Sequence, residues 1–263
     1  MLRLLLTFSA ATFAHDLYLM PAKFIVKPGE TVRVAFENGD AFPKGDSSVK
    51  PERLRDTRLM SKAGAAEFTG VVEQPKRTVA SVRAPGEGTA ILTARTIPNF
   101  IELDAEKFRS YLEHENLQHV IKLREERGES AKPGRERYSK YVKSLITAGR
   151  GDAHFKQRTG LTIEIVPEAD PAALRIGERL PVQVLFRGQP AADVAVESAW
   201  LENDKAKMEV FGRTDREGRI LIPIHASGPH RLHAIVMERC PDPAAADWES
   251  FWASLTFAIA APR

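Results

Sequence analysis

The chain has 263 residues, of which 43% are hydrophobic and 28% charged, with a formal net charge of +3. The apolar fraction is enough to build an ordinary core and excludes a disordered chain, and the single cysteine excludes a disulfide-stapled scaffold and a thiolate-rich metal cluster. Positive and negative side chains are interleaved along the chain, so we expect no nucleic-acid partner.

Positions 1–14 have the pattern of a secretory signal peptide. Arg3 supplies a positive start, positions 4–13 form an apolar run, and Ala14 completes a small-residue cleavage site. The run is too short to cross a bilayer, which takes about 20 residues. We therefore expect a periplasmic or secreted protein that does not span the membrane after cleavage. The alternative is that the run forms the first strand or helix of the core.

Residues 15–103 are predicted to form an N-terminal β-sandwich domain. Short runs of β-branched and aromatic residues alternate with turn signals through this region. The Pro28-Gly29 turn predicts a hairpin between residues 24–27 and 31–36.

Residues 104–150 are predicted to form a helical insertion. Asp104 can cap a first helix, a second helical stretch begins near Leu117, and a third covers Arg135 to Thr147. The apolar stripe of the first helix contains Phe108, Tyr111 and Leu112.

The third predicted helix carries two lysines and two tyrosines. We expect Lys140 and Lys143 to stay in water while Tyr138 and Tyr141 pack between the domains, although the four side chains together could bind an anion or a partner.

Residues 151–263 return to the strand pattern. Seven predicted strands in about a hundred residues are the number expected of an immunoglobulin-like or transthyretin-like sandwich. The fold class predicted from the sequence is therefore mainly β, with two β-sandwich domains and a helical insertion between them.

Four groups of segments, in order along the chain, resemble a family of exported bacterial proteins known as a domain of unknown function. They are His15–Pro21 with Phe24–Glu30, Phe108–Leu112 with Glu115–Leu117, Arg137–Leu145, and Gly160–Pro167. Members are often labelled nickel- or cobalt-uptake-associated periplasmic proteins. The resemblance implies a role in metal uptake and a membrane metal transporter as partner. The chain departs from the family pattern at His230, where an aromatic residue is expected two positions after Gly228.

His15 is the leading candidate metal ligand. Cleavage after Ala14 would give it a free α-amine beside its imidazole, and nitrogen donors of this kind suit nickel, cobalt, copper or zinc. Asp16 stands next to it, and His230 and His233 are the further candidate ligands. On one strand His230 and His233 would point to opposite faces, so regular alternation would not bring both to one site. We expect a divalent transition metal as the cofactor or cargo, with nickel or cobalt favoured by the resemblance and copper also compatible.

Other polar groups are assigned ordinary structural roles. His114 and His119 flank Glu113 and Glu115 in a region predicted to be a solvated face, although it could supply further metal donors. Cys240 is a lone thiol, for which a structural role is favoured over a catalytic one.

Three functions remain open at this point. The leading one is a periplasmic metal-binding or metal-delivery protein associated with nickel or cobalt uptake. The second is a metal-free exported adhesion or scaffold module, and the third is a copper oxidoreductase in which the terminal histidine and a second histidine hold the metal. Since no Gly-x-Ser-x-Gly nucleophile motif is present, we expect no hydrolase chemistry and, in the two leading functions, no enzyme.

Overall fold

The computed structural model describes residues 15–261, so the predicted signal peptide at 1–14 lies outside the described residues. The described chain is mainly β, as predicted. Its strands are β1 Leu17–Pro21, β2 Ile25–Val26, β3 Thr31–Asn38, β4 Leu54–Ser61, β5 Gly64–Glu67, β6 Thr69–Gln74, β7 Arg77–Arg83, β8 Gly88–Thr96, β9 Asn99–Leu103, β10 Gly134–Ala148, β11 Ile163–Pro167, β12 Arg179–Phe186, β13 Gln189–Pro190, β14 Ala195–Glu202, β15 Lys205–Arg213, β16 Arg219–Pro223, β17 Gly228–Arg239 and β18 Trp248–Ile259. The helices are α1 Ala105–His114 and α2 Gln118–Glu126. Neither they nor any other helix within residues 15–261 is long and apolar enough to cross a membrane.

The strands form three sheets. The N-terminal sheet has the order β1-β3-β7-β6, and the C-terminal sheet pairs β12 with β11, β13 and β16. The central sheet has the order β15-β14-β17-β18-β10-β8-β4-β5, with β2 and β9 also paired to β10. The central sheet therefore contains strands from both predicted sandwich domains.

The central sheet is covered on both faces. One face packs against the N-terminal sheet, where Val142 and Ile146 of β10 join one apolar core. The opposite face packs against the C-terminal sheet, where Tyr141 and Leu145 join another core. Because side chains alternate along a strand, β10 supplies apolar residues to both sandwiches. The domain boundaries at 103 and 150 remain a prediction, but the two sandwiches share one sheet.

Helices α1 and α2 confirm the first part of the predicted insertion. The Asp104 carboxylate accepts a hydrogen bond from the Lys107 backbone N–H at 2.9 Å, which caps α1. The two helices pack on the central sheet beside Trp248 and Trp252, on the same face as the N-terminal sheet.

The predicted third helix over 135–147 is wrong, because this segment lies within the long strand β10. Its apolar residues have helical spacing for a different reason. Tyr138 and Val142 point to one face of the strand and Tyr141 and Leu145 to the other, and a strand buried on both faces carries apolar residues at odd and even positions. Periodicity alone cannot separate these two structures.

The predicted hairpin over 24–36 is also wrong. Strand β2 pairs in parallel with β10, through Thr147↔Ile25, whereas β3 pairs with β1 and β7. The Pro28-Gly29 turn between them reverses the chain, with Gly29 at φ +78°. It carries the chain from the central sheet to the N-terminal sheet instead of joining two neighbouring strands.

Lys143 is buried and not solvated as predicted. Its ammonium lies 2.9 Å from the Glu164 carboxylate, and the two side chains are 1% and 2% exposed. Glu164 also accepts hydrogen bonds from the backbone N–H groups of Thr159 and Gly160. Burial by itself would raise the pKa of Glu164, but Lys143 and these donors outweigh it and hold the pKa below its usual value. The ion pair links β10 to the C-terminal sheet.

Replacing Lys143 tests this link. We expect Lys143→Met to lower the free energy of unfolding by about 3–5 kcal/mol, because Glu164 would be left as an unpaired buried charge. Urea denaturation measures the change. Lys122→Met removes an exposed lysine of α2 and is the control, with an expected change of less than about 0.5 kcal/mol. Equal, small effects in the two variants would contradict a structural role for the buried pair.

Candidate functional site

The start of the described chain lies against the central sheet. Strand β1 pairs with β3, and the backbone N–H of Gly39 donates to the Asp16 carbonyl at 2.9 Å. The hydroxyl of Thr256 on β18 donates to the Leu19 carbonyl at 2.6 Å. These contacts hold His15 and Asp16, which immediately precede β1, at a defined place over β10 and β17.

Asp16 is paired with a buried arginine. Its carboxylate forms an ion pair with Arg231 of β17, whose side chain is only 1% exposed and also lies 2.5 Å from the Glu197 carboxylate. The guanidinium carbon lies 5.4 Å from the centre of the Tyr18 ring. Burial would raise the pKa of Asp16, but Arg231, with His233 and Lys140, outweighs burial and keeps the pKa below its usual value.

His233 lies between two carboxylates. Its Nδ1 is 3.2 Å from Asp16 and its Nε2 is 3.3 Å from Glu115, while its ring lies 5.3 Å from that of Trp252. Burial favours the neutral imidazole, yet Asp16 and Glu115 outweigh it and raise the pKa of His233 to about 9. At neutral pH both ring nitrogens are therefore N–H donors, and neither has a lone pair free for a metal.

His15 has a different environment. Its Nδ1 is 3.3 Å from the Asp40 carboxylate, and both side chains are partly exposed, at 32% and 60%. Its carbonyl accepts a hydrogen bond from the Lys140 ammonium. Asp40 follows Gly39, so the backbone hydrogen bond between Gly39 and Asp16 brings the carboxylate beside His15.

Lys140 is the second lysine predicted to be solvated, and it is buried as well. Its ammonium donates to the His15 carbonyl and to Asn38 Oδ1, the latter at 3.1 Å. Burial lowers the pKa of Lys140 to about 8. The ammonium also lies 5.9 Å from the centre of the Trp252 ring.

His230 lies on the opposite face of β17, within the core shared with the C-terminal sheet. Its ring stacks on Phe257 with centres 5.4 Å apart, and its Nδ1 lies 3.1 Å from the Gly228 carbonyl. Burial lowers its pKa to about 4. The aromatic residue that the family pattern expects at this position is thus replaced by an imidazole that also stacks.

The four predicted site residues are therefore not brought to one place. Asp16 contacts His233, but the Asp16 carboxylate is also paired with the Arg231 guanidinium. The raised pKa of His233 favours its protonated imidazole. His230 faces away, and His15 contacts Asp40. No group of three or more His, Cys, Asp or Glu side chains within residues 15–261 is arranged to hold a metal ion. Asp16 contacts His233, His230 lies on the other face of β17, and His15 contacts Asp40, so the metal assignment of these four residues stays a prediction.

Sequence reasoning missed the partners that define the site. Asp40 is 25 positions from His15, and Glu115 is 118 positions from His233. Glu115 was predicted to be solvated, yet its side chain is 12% exposed. One signal was available for Arg231, since a charged residue inside a predicted core strand is buried only if it is paired. No local pattern in the sequence points to Asp40.

Comparisons with known proteins give a family and distant structural likenesses. The model of a family described as domain of unknown function DUF4198 matches residues 12–238. No curated protein matches the chain in sequence. The Escherichia coli adhesin FdeC is 13% identical with a TM-score of 0.26, and the likeness covers 95% of this chain and 65% of that one.

Two further likenesses are similar in extent. The Yersinia pseudotuberculosis adhesin InvE is 14% identical with a TM-score of 0.25, over 93% of this chain and 58% of that one. The D0-D1 domain of intimin is 11% identical with a TM-score of 0.23, over 92% and 97%. The chain thus spans less than two thirds of the FdeC and InvE structures. At these scores the likenesses carry no inference about function.

The charge on His233 predicts a pH dependence of stability. Because the folded-state pKa is about 9 against an ordinary value of 6.5, the stabilisation by the imidazolium is complete below about pH 6.5 and is lost as the pH rises through about 9. Urea denaturation between pH 6 and 10 should show this loss, and His233→Phe should remove that part of the slope. His119→Gln, which changes an exposed histidine of α2, should retain it. A His233 NMR titration midpoint at or below about 6.5 would contradict the assignment.

Proposed function

Since the chain belongs to the family described as domain of unknown function DUF4198, we propose from its own residues that it captures a divalent transition metal ion. The ion binds at His15 and Asp40 after export. The observation that carries this proposal is the 3.3 Å approach of the His15 imidazole to the Asp40 carboxylate, with both side chains open to solvent. It replaces Asp16, His230 and His233 with Asp40 as the side-chain neighbour of His15.

The donor set fits a divalent ion of the nickel, cobalt, copper or zinc group. In a chain cleaved after Ala14, the α-amine and imidazole of His15 supply two nitrogen donors, and Asp40 supplies an oxygen. A mixed set of imidazole, amine and carboxylate is compatible with each of these ions. The resemblance of the sequence to proteins labelled for nickel or cobalt uptake favours these two metals.

The surroundings of His15 support a preorganised site. The Lys140 ammonium holds the His15 carbonyl, and the next residue, Asp16, is held by Arg231 and by the Gly39 N–H. The backbone that carries the donors is therefore fixed on two sides while the imidazole faces solvent. A site held in this way loses less conformational entropy when the ion binds.

The proposed mechanism is reversible capture outside the cytoplasm. Neutral nitrogen donors bind the ion, and protonation or ligand exchange at a membrane metal transporter releases it. This is a binding and delivery function without a catalysed reaction. The Asp40 carboxylate beside His15 supports capture of a divalent ion.

Metal titration of the processed protein tests the proposal. We expect about one nickel or cobalt ion to bind per chain, and we expect His15→Ala to weaken binding about 100-fold. Asp40→Asn should weaken it about tenfold, because the oxygen donor loses its charge. A chain extended by one methionine before His15 should bind as weakly as His15→Ala, since the α-amine is displaced.

The matched controls are His119→Gln and Asp204→Asn, which change exposed residues of the same types elsewhere. Isothermal titration should give both controls the affinity of the unmodified protein. Unchanged affinity in His15→Ala and in the extended chain would overturn the proposal. A processed protein that binds neither metal would overturn it as well and would favour the metal-free adhesion or scaffold function.

A further inference from the structure

A polar groove lies beside His15, between β1 and the strands β8, β9 and β10 of the central sheet. It has a volume of about 530 Å³ and is lined by residues that include Lys50, Arg53, Asn99, Tyr138 and Lys140. This volume is within the range of small-molecule sites, about 300–1,000 Å³. No acidic side chain lines the groove in the described part of the chain.

Three cations line this groove, and none of them has a carboxylate within ion-pair distance among residues 15–261. Lys140 donates only to neutral oxygens, those of the His15 carbonyl and the Asn38 amide. Arg53 donates to the Ile97 carbonyl at 3.3 Å. Lys50 is exposed and has no carboxylate partner in the described part of the chain.

The contrast with the other cations of β10 is informative. Arg135 lies 2.9 Å from Asp247, and Arg137 lies 2.6 Å from Glu249. Lys143, which is buried like Lys140, is paired with Glu164. Lys140 is the one basic residue of this strand without such a partner. Asp16 and Asp40 act on the Lys140 ammonium only from beyond ion-pair distance, so the cost of burying this charge is incompletely balanced within residues 15–261, and an anion in the groove would stabilise it.

The groove also offers neutral hydrogen-bonding groups. The Tyr138 hydroxyl accepts a hydrogen bond from Asn99 Nδ2 at 2.6 Å, which leaves its own O–H as a donor. The ammonium of Lys140 has three N–H groups and uses two of them within the chain, so one remains. The groove thus combines three positive charges with neutral donors, over a volume that exceeds the needs of a single phosphate ion.

We propose that this groove is a second binding site, for a small organic anion with two or three carboxylate groups, which pairs with Lys140, Arg53 and Lys50. Three cations in one groove favour several acidic groups on one molecule over one compact anion. The proposal does not depend on metal capture at His15, because it uses only the cations and neutral donors of the groove.

The proposal is tested with citrate, succinate and inorganic phosphate as probes on the metal-free protein, by isothermal titration at constant ionic strength and pH 7. We expect citrate or succinate to bind at one site and more tightly than phosphate. Lys140→Met and Arg53→Gln should each weaken this binding about tenfold. Lys205→Met and Arg127→Gln remove exposed cations elsewhere and should leave it unchanged.

Arg53→Gln changes a half-buried side chain and keeps the test valid if the buried Lys140→Met variant fails to fold. Carboxylate binding that is equal in the groove variants and the controls would overturn the proposal. So would tighter binding of phosphate, or no binding of either carboxylate at millimolar concentration. Since the protein is free of metal throughout, these outcomes are separate from those of the metal titration.

Discussion

The parallel pairing of β10 with β18 is the constraint on which the rest of the structure depends. The pairing runs from Glu136↔Trp248 to Ser144↔Thr256 and joins residues 112 positions apart. Parallel neighbours need a connection that leaves the sheet and returns to it. Here that connection contains the whole C-terminal sheet, so the pairing closes both sandwiches on one shared central sheet.

The same pairing decides where the charges lie. On β10, Lys140 faces the start of the chain and Lys143 faces the C-terminal sheet, because alternate side chains leave opposite faces of a strand. On β17, Arg231 and His233 share one face and balance Asp16, while His230 lies on the other. Lys143, Arg231 and His233 are thus ion-paired within the chain, whereas Lys140 has no carboxylate at ion-pair distance among residues 15–261. The proposed anion site and the fixed position of His15 both follow from this arrangement.

Several elements could be predicted because their signals are local. The Asp104 cap and the stripe of Phe108, Tyr111 and Leu112 predicted α1, since capping and helical spacing act within a few residues. The alternation and turn signals of most strands are equally local. Strand β10 was misread because residues buried on two faces mimic helical spacing. For the site, the sequence identified His15, but Asp40, Glu115 and Lys140 come to it through sheet pairing that no local pattern records.

By itself the sequence determined that the chain is mainly β and where the first helix, α1, begins, and it predicts that export would leave His15 as a terminal imidazole. These features depend on residue type and short-range spacing. Only the tertiary structure decided which strands pair, that two sandwiches share a sheet, and that His15 meets Asp40 while Asp16 meets Arg231 and His233. The reason is physical: hydrogen-bond pairing and the balance of buried charge act between residues that are distant in the chain, and only folding brings these residues together.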